Sequence, residues 1–366
     1  MTFRFKTVAV AMSGGVDSSV AAGLLLEKGY KVIGLTMDLF PVNLKKCSEE
    51  GVRSCCGWRA REDASRVAAG LGIPHYIVNL RKEFEALVVE DFCREYGRGR
   101  TPNPCLRCNE RIKFALLADR ARKLGAERLA TGHHARIERR SAAGRLLLRK
   151  GADVQKDQSY FLYTLTQGQL KFILFPIGDM TKSAVRLAAR RLGIPVAIKA
   201  ESQEICFIPD NDYARFLEAR RPRTGRPGPI LDSSGKVIGR HQGIIHFTVG
   251  QRKGMGLAAP QPLYVLRIDK QKNAVVVAPS EGLGQTSLEA SRANWISLLK
   301  LERPMSFKAK IRSRHVEAPV KVRPLPRGRL RVDFEKPQRA VAPGQSIVFY
   351  DGDLVAGGAV IDRAVG

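Results

Sequence analysis

The sequence predicts an α/β fold class: a parallel-sheet catalytic domain over residues 1–208, a small central β domain over 209–280 and a C-terminal β-barrel over 281–366. Three observations carry this expectation. The first 200 residues alternate strand-like and helix-like segments, the pattern of a parallel sheet covered on both faces. Near residue 210 the texture changes, and Arg220-Arg221-Pro222-Arg223-Thr224-Gly225-Arg226-Pro227-Gly228-Pro229 is too rich in breakers for a long helix. Beyond it only short alternating segments separated by turns remain.

The elements follow in order. Val8-Ala9-Val10-Ala11-Met12 is short and apolar enough for a buried strand, and a helix is expected over residues 18–28. Lys31 to Met37 reads as the second strand, and Arg61 to Leu71 as a helix closed by Gly72. His75-Tyr76-Ile77-Val78 is the third strand, while Phe84, Leu87, Val88 and Phe92 recur at helical spacing. An amphipathic helix is expected from Asn109 to Leu124, then a strand from Arg128 ending in a turn at Gly132-His133. Ligands of such sheets sit at the C-terminal ends of strands. Further on, strands are expected at 263–268, 273–277, 307–311, 329–334, 346–350 and 357–361.

Composition narrows the class. A chain of 366 residues holds two or three domains, and 44% hydrophobic with 27% charged residues is ordinary for a globular protein. The net charge of +27 is not ordinary, and points to a polyanion, first of all nucleic acid; a generally arginine-rich surface is the bland alternative. No run approaches the roughly 18–20 apolar residues of a membrane span. A strand beginning near residue 7 leaves no room for a signal peptide. Seven cysteines, an odd number without framework spacing, fit a reducing cytoplasm and catalytic or metal-binding use.

Ser13-Gly14-Gly15-Val16-Asp17-Ser18 stands between the first strand and the first helix. Two glycines let backbone approach an anion, and the helix start offers N–H groups and the positive end of its dipole. Ser13 and Ser18 add hydroxyls, and Asp17 can position Mg2+ on phosphates. The loop lacks the Lys-Ser/Thr ending of the ordinary phosphate loop. It resembles the pyrophosphate loop (PP-loop, adenine nucleotide alpha hydrolase-like) of the ATP pyrophosphatases, which cleave ATP between its α and β phosphates.

Thr101-Pro102-Asn103-Pro104-Cys105-Leu106-Arg107-Cys108-Asn109 is the second dense motif. With a helix opening near 109, Cys108 sits at its N-terminus beside Arg107, Arg111 and Lys113, and both effects favour the thiolate. Cys206 follows in Glu201-Ser202-Gln203-Glu204-Ile205-Cys206-Phe207, and Cys93 reads as core filler. Three readings stay open: a structural zinc site drawing on Cys47, Cys55 and Cys56; a [4Fe-4S] cluster held by Cys105, Cys108 and Cys206; and persulfide chemistry resolved by a disulfide.

With both motifs located, the chain resembles the tRNA-specific 2-thiouridylase family over its whole length. The resemblance implies an ATP-binding loop at Ala11, Met12, Ser13, Gly14, Gly15, Val16, Asp17 and Ser18, with Met37 and Gly132 also at the nucleotide. It implies Cys108 as nucleophile and Cys206 as persulfide carrier. Asn103, Pro104 and Cys105 would line the target base, and His133, Lys156, Asp157, Gln158, Arg312, Ser313 and Gln345 would contact tRNA. His246 to Gly254 matches the family's central domain. Some members carry aspartate where this chain has Cys105, His134 stands where tyrosine is common, and the cysteine-rich Cys47–Trp58 segment matches nothing assigned. The implied partners are a tRNA anticodon stem-loop and an upstream persulfide donor; the implied state is a cytoplasmic monomer. A small-molecule ligase with the same loop is the main rival, but it has no need of two placed thiols or of +27.

Overall fold

The computed structural model describes residues 6–40, 58–139, 144–195, 205–208, 210–221 and 225–365. Cys47, Cys55, Cys56 and the Ser202–Glu204 part of the Cys206 motif lie outside these residues. The chain gathers into two compact units: Met1–Val88, Cys105–Asn211 and Asp353–Val355 form one, and Val89–Pro104, Asp212–Gly352 and Ala356–Gly366 the other.

The first unit is built on a parallel sheet of five strands among the described residues, in the order β3-β2-β1-β4-β7. These are β1 Thr7–Ala11, β2 Lys31–Asp38, β3 His75–Asn79, β4 Arg128–Thr131 and β7 Ile173–Leu174. The short apolar β1 lies at the centre, with Val8 opposite both Val32 and Arg128. A strand buried on both faces needs no polar alternation, which explains its unbroken Val-Ala-Val-Ala run. Helix α1, Val16–Glu27, is small-residue rich and buried on most sides, packing Val20, Ala21 and Leu25 into one core with Val8, Val10, Val67 and Val185. Strand order turns direction between β1 and β4, which opens a crevice at their C-terminal ends. A hairpin of β5 Ala135–Arg139 and β6 Leu146–Lys150 follows β4, tied down by Arg136 and Arg149 on Asp353. No sequence pattern distinguished that hairpin.

The second unit holds two β structures. Strands β8 Gly228–Leu231, β9 Val237–His241, β10 Tyr264–Asp269 and β11 Ala274–Ala278 make a sheet ordered β10-β11-β8-β9 over Ile230, Phe247, Val265 and Val275. Strands β12 Gly284–Trp295, β13 Met305–Lys310, β14 Ala318–Pro324, β15 Leu330–Arg339, β16 Ser346–Asp351 and β17 Leu354–Ala364 form a closed six-stranded barrel, completed by β12 on β17. Inward alternation fills it with Val320, Val332, Phe349 and Ile361, and Trp295 stacks on Phe349 at 5.4 Å. The fold class expected from the sequence is the one observed. Strands β8, β9, β14 and the long β12 are additions to it.

Candidate active site

The loop after β1 is shaped by its own hydroxyls. The Ser13 amide donates to Ser18 Oγ at 3.2 Å, while Ser18 Oγ and Ser19 Oγ donate to the Gly15 carbonyl at 3.1 and 2.9 Å. Gly14 adopts φ +65°, and a Cβ there would lie 2.3 Å from the Ala60 carbonyl oxygen, so only glycine fits. Helix α1 opens after Gly15 without a side-chain cap, which leaves its first N–H groups for an anion. Gly132, at the end of β4, presses on this helix start: a Cβ on it would sit 2.5 Å from the Ser18 nitrogen and 2.9 Å from Asp17 Cβ. Gly132→Ala is therefore expected to push the loop open and weaken ATP binding by about tenfold or more, each tenfold being about 1.4 kcal/mol, in an equilibrium titration.

Asp17 is the carboxylate of the loop, and it is engaged. Lys182 Nζ reaches both of its oxygens, at 2.8 and 2.7 Å, and His134 Nε2 lies 3.6 Å from Oδ1. Burial pushes the Asp17 carboxyl up, but hydrogen bonds and charge from His134 and Lys182 outweigh it and hold the group below its ordinary value. Sequence reasoning missed Lys182. It opens the helix Lys182–Arg191 behind the Thr181 cap, a position where the helix dipole disfavours a cation, and that mismatch was the available signal.

The Lys156-Asp157-Gln158 segment folds back onto the same place. The His134 amide donates to Gln158 Oε1 and the Gln158 amide to the His134 carbonyl, both at 3.0 Å. Asp157 accepts from the Gly151 and Ser159 amides and from Ser159 Oγ. The side chains of Asp157 and Gln158 thus hold the turn that covers His134, and Lys156 beside them is half-buried.

The cysteine helix begins earlier than expected. Helical residues start at Pro104, continue through Arg107, run as wide i→i+5 turns over Cys108–Leu117 and end with Ala118–Lys123. Proline suits a first helical position because it has no N–H to leave unpaired. Cys105 is exposed in the first turn and Cys108 half-buried in the second, so the helix start adjoins Cys105 rather than Cys108. The cations thought to flank Cys108 have other partners: Arg107 pairs with Glu110, and Arg111 donates to the Leu87 carbonyl at 3.4 Å.

Lys113 Nζ donates to Asn109 Oδ1 at 2.8 Å and lies 3.5 Å from His133 Nε2. Asn109 Nδ2 in turn donates to the Phe161 carbonyl at 3.1 Å. His133 is buried between Phe114 and Phe175, and burial, with the charge of Lys113, pushes its pKa well down. Lysine only donates, so Nε2 accepts and Nδ1 carries the proton to Thr131 Oγ1, 2.7 Å away. His133 is a closed-in structural link, placed between the cysteine helix and β4.

Met37 is buried at the end of β2, next to Asp38, which Arg61 and Arg81 hold at 2.9 and 2.7 Å. Cys206 is a half-buried thiol beside Phe207, whose ring meets Phe84 edge to face at 5.8 Å. In the second unit Gln345 Nε2 donates to the Thr101 carbonyl at 3.1 Å and the Thr101 amide to the Pro343 carbonyl at 2.8 Å. That turn therefore fixes the approach to Asn103 and Pro104. In the turn after β13, Arg312 is exposed and donates to the Arg339 carbonyl at 3.2 Å, and Ser313 is half-buried.

Hard oxygen donors from Ser13, Ser18 and Asp17 suit Mg2+ carried on phosphates. A cluster fits less well: among the described residues no three His, Cys, Asp or Glu side chains gather in a group able to hold a metal. Cys105, Cys108 and Cys206 do not form a ligand set here, and no step below runs through one.

Residues 6–210 match the family described as the tRNA methyl transferase HUP domain, 214–279 the tRNA methyl transferase PRC-barrel domain and 285–361 the aminomethyltransferase beta-barrel domain. The tRNA-specific 2-thiouridylase MnmA of Heliobacterium modesticaldum is 52% identical over 360 residues, covering 98% of this chain and 93% of that one. Its namesakes in Halothermothrix orenii (49% over 354 residues, 97% and 98% covered) and Geotalea uraniireducens (51% over 362 residues, 98% and 96% covered) match along the same length. Alike from one end to the other to proteins of this one name, the chain belongs to the tRNA-specific 2-thiouridylase family.

Proposed function

We propose that this protein is an ATP-dependent tRNA sulfurtransferase that replaces O2 of the wobble uridine with sulfur. The observation that carries the reading is a continuous run of contacts in the first unit. It leads from the anion-ready loop through Gly132 and His133 to Lys113, Asn109 and the helix bearing Cys108. That run supports a nucleotide site and a thiol that share one neighbourhood.

Uracil C2 resists substitution because its oxygen leaves poorly. O2 attacks the α phosphorus of ATP, pyrophosphate departs, and the oxygen becomes part of an adenylate. The loop's amides, with Ser13 and Ser18, stabilise the charge growing on pyrophosphate, and Mg2+ held through Asp17 would supply Lewis-acid neutralisation. Cys206, loaded as a persulfide by an upstream donor, attacks C2 through its terminal sulfur, and AMP leaves. Cys108 then attacks Cys206 Sγ, which breaks the S–S bond, leaves the thiocarbonyl on the base and forms a Cys108–Cys206 disulfide. A two-electron thiol reductant reopens it.

Asn103 and Pro104 wall the flipped base, with Cys105 beside it. Lys156, Arg312, Ser313 and Gln345 contact the anticodon stem-loop, while Asp157, Gln158 and His133 shape the surface it meets. The net charge of +27 supplies backbone affinity without base reading. Raising salt from about 50 to 200 mM is expected to cost roughly 10³-fold in tRNA affinity for about six phosphate contacts, readable by filter binding.

The deciding experiment combines tRNA transcript, ATP, Mg2+ and a persulfide donor. Pyrophosphate release is followed alongside 2-thiouridine by nucleoside mass spectrometry. Both products forming together with tRNA support the assignment. Pyrophosphate release with small acceptors and no tRNA requirement refutes it.

A further inference from the structure

Two lysines contact residues that follow β1 and β4, Lys182 on Asp17 and Lys113 on His133, and their circumstances differ. Lys182 is held by both oxygens of Asp17. Lys113 has only neutral partners, the Asn109 amide oxygen and the ring of His133, and no carboxylate among the described residues pairs with it. A half-buried ammonium without a counter-charge forgoes stabilisation that a nearby Asp or Glu would give, unless an anion arrives. Its position is also over-determined. Asn109 is tied to the Phe161 carbonyl, His133 is clasped by Phe114, Phe175 and Thr131, and Gly132 rests on Ser18 and Asp17. The Lys113 head group is thus fixed two residues away from the contact between β4 and the anion-binding helix start, with its third N–H unused by these partners.

We infer that Lys113 is a catalytic cation that meets the α-phosphate of the nucleotide while uracil O2 attacks it. The inference rests on the adenylation reading above. The division of labour follows from charge. The leaving pyrophosphate falls to the loop amides and hydroxyls, whereas the α-phosphate, crowded by an incoming oxygen, needs a preorganised donor of its own. Asn109 and His133 are positioning residues: they hold the ammonium and give it no negative charge, so its field is undiminished at the phosphate.

The test uses the full-length protein with tRNA, ATP and Mg2+, and reads AMP and pyrophosphate formation without any sulfur donor. Lys113→Met is expected to lower adenylation by about 100-fold or more, as loss of one preorganised donor does, with ATP affinity changed by less than about threefold. Lys113→Arg restores part of the rate. Lys113→Gln, which keeps a donor to Asn109 and removes only the charge, behaves like Met and carries the test if Met fails to fold. The Rp and Sp forms of ATPαS give the readout that a merely structural role would not move: the wild-type preference between them shrinks in Lys113→Gln. The inference is overturned by adenylation within about threefold of wild type, or by a slower rate with the Rp/Sp preference intact. It is also overturned by a defect confined to tRNA affinity. Wild-type protein that forms no AMP on tRNA is a different failure, that of the adenylation reading itself.

Discussion

Cys206→Ser is expected to abolish thiolation, by at least about 10³-fold, and to leave tRNA-dependent pyrophosphate release near the wild-type rate. The reason is a separation of steps. Adenylation is proposed to belong to the loop of residues 13–18, whose Ser13, Ser18 and Ser19 hydroxyls bond to one another and to the Gly15 carbonyl rather than to a thiol. A serine hydroxyl cannot carry a persulfide, so the activated base waits and is lost to water. Cys108→Ser fails later. It accepts sulfur onto Cys206 and forms the linkage to the base, but has no thiolate to release the product, so tRNA is trapped on the protein through Cys206. Non-reducing gels with labelled tRNA distinguish the two variants: a shifted band for Cys108→Ser, none for Cys206→Ser. Thiolated tRNA from either variant at near-normal yield removes that cysteine's role.

Asp17→Asn is expected to lose adenylation first and stability second. The substitution leaves Lys182, which is 11% exposed, without its carboxylate, and a cation stranded in that position costs stability. With Asp17 27% exposed, solvent screening reduces the penalty to about 1–3 kcal/mol rather than the full buried-pair value. The adenylation rate is expected to fall by about 10²-fold or more, because the loop would lose the carboxylate proposed to position Mg2+. The pH dependence has a definite sign. The Asp17 carboxyl is held below its ordinary value of 3.8, so its contribution is complete above that value and lost as pH falls through the lower folded one. His133 acts in a higher window. Burial keeps it neutral, so the unfolded chain gains protons first, and stability declines as pH drops below about 6.5. Urea melts of wild type and Asp17→Asn at stepped pH should converge in the most acidic range and differ above it. A constant gap across that range would contradict the assignment of the acid-labile carboxylate.

Much of the fold was legible because its signals are local. The apolar β1, the glycine turn and the helix α1 follow one another without a break from Thr7 to Glu27, and each is dictated by composition at that point. The parallel sheet followed from alternation, and the barrel from short strands between turns. Strand β12 was not legible. Its pattern is broken at Arg292, φ +54°, inside a register shift between Ser291 and Asn294 in its pairing with β17, while Leu288–Ala290 pair with β15 on the other edge as well. That irregularity exists to close a barrel, a condition set by strands far away in sequence. The helix start at Pro104 was misplaced by five residues because Asn103-Pro104 reads equally as extended approach or as first turn.

The candidate site divides the same way. Residue chemistry singled out the loop of 13–18, Cys108 and Cys206, since each carries its capability in its own side chain or in the lack of one, whereas Gly132 came from the family resemblance. Asp157, Gln158 and His133 were read as facing RNA, whereas their hydrogen bonds point inward to Gly151, His134 and Thr131. Lys113 was noticed only as a neighbour of Cys108, and Lys182 belonged to no motif. The sequence alone established the class of fold and singled out the glycine loop and the cysteine motifs, because backbone conformation and thiol chemistry depend on neighbours along the chain. Tertiary structure alone decided which lysine is neutralised and which is left charged, because ion pairing depends on distance in space, and Asp17 and Lys182 stand 165 positions apart.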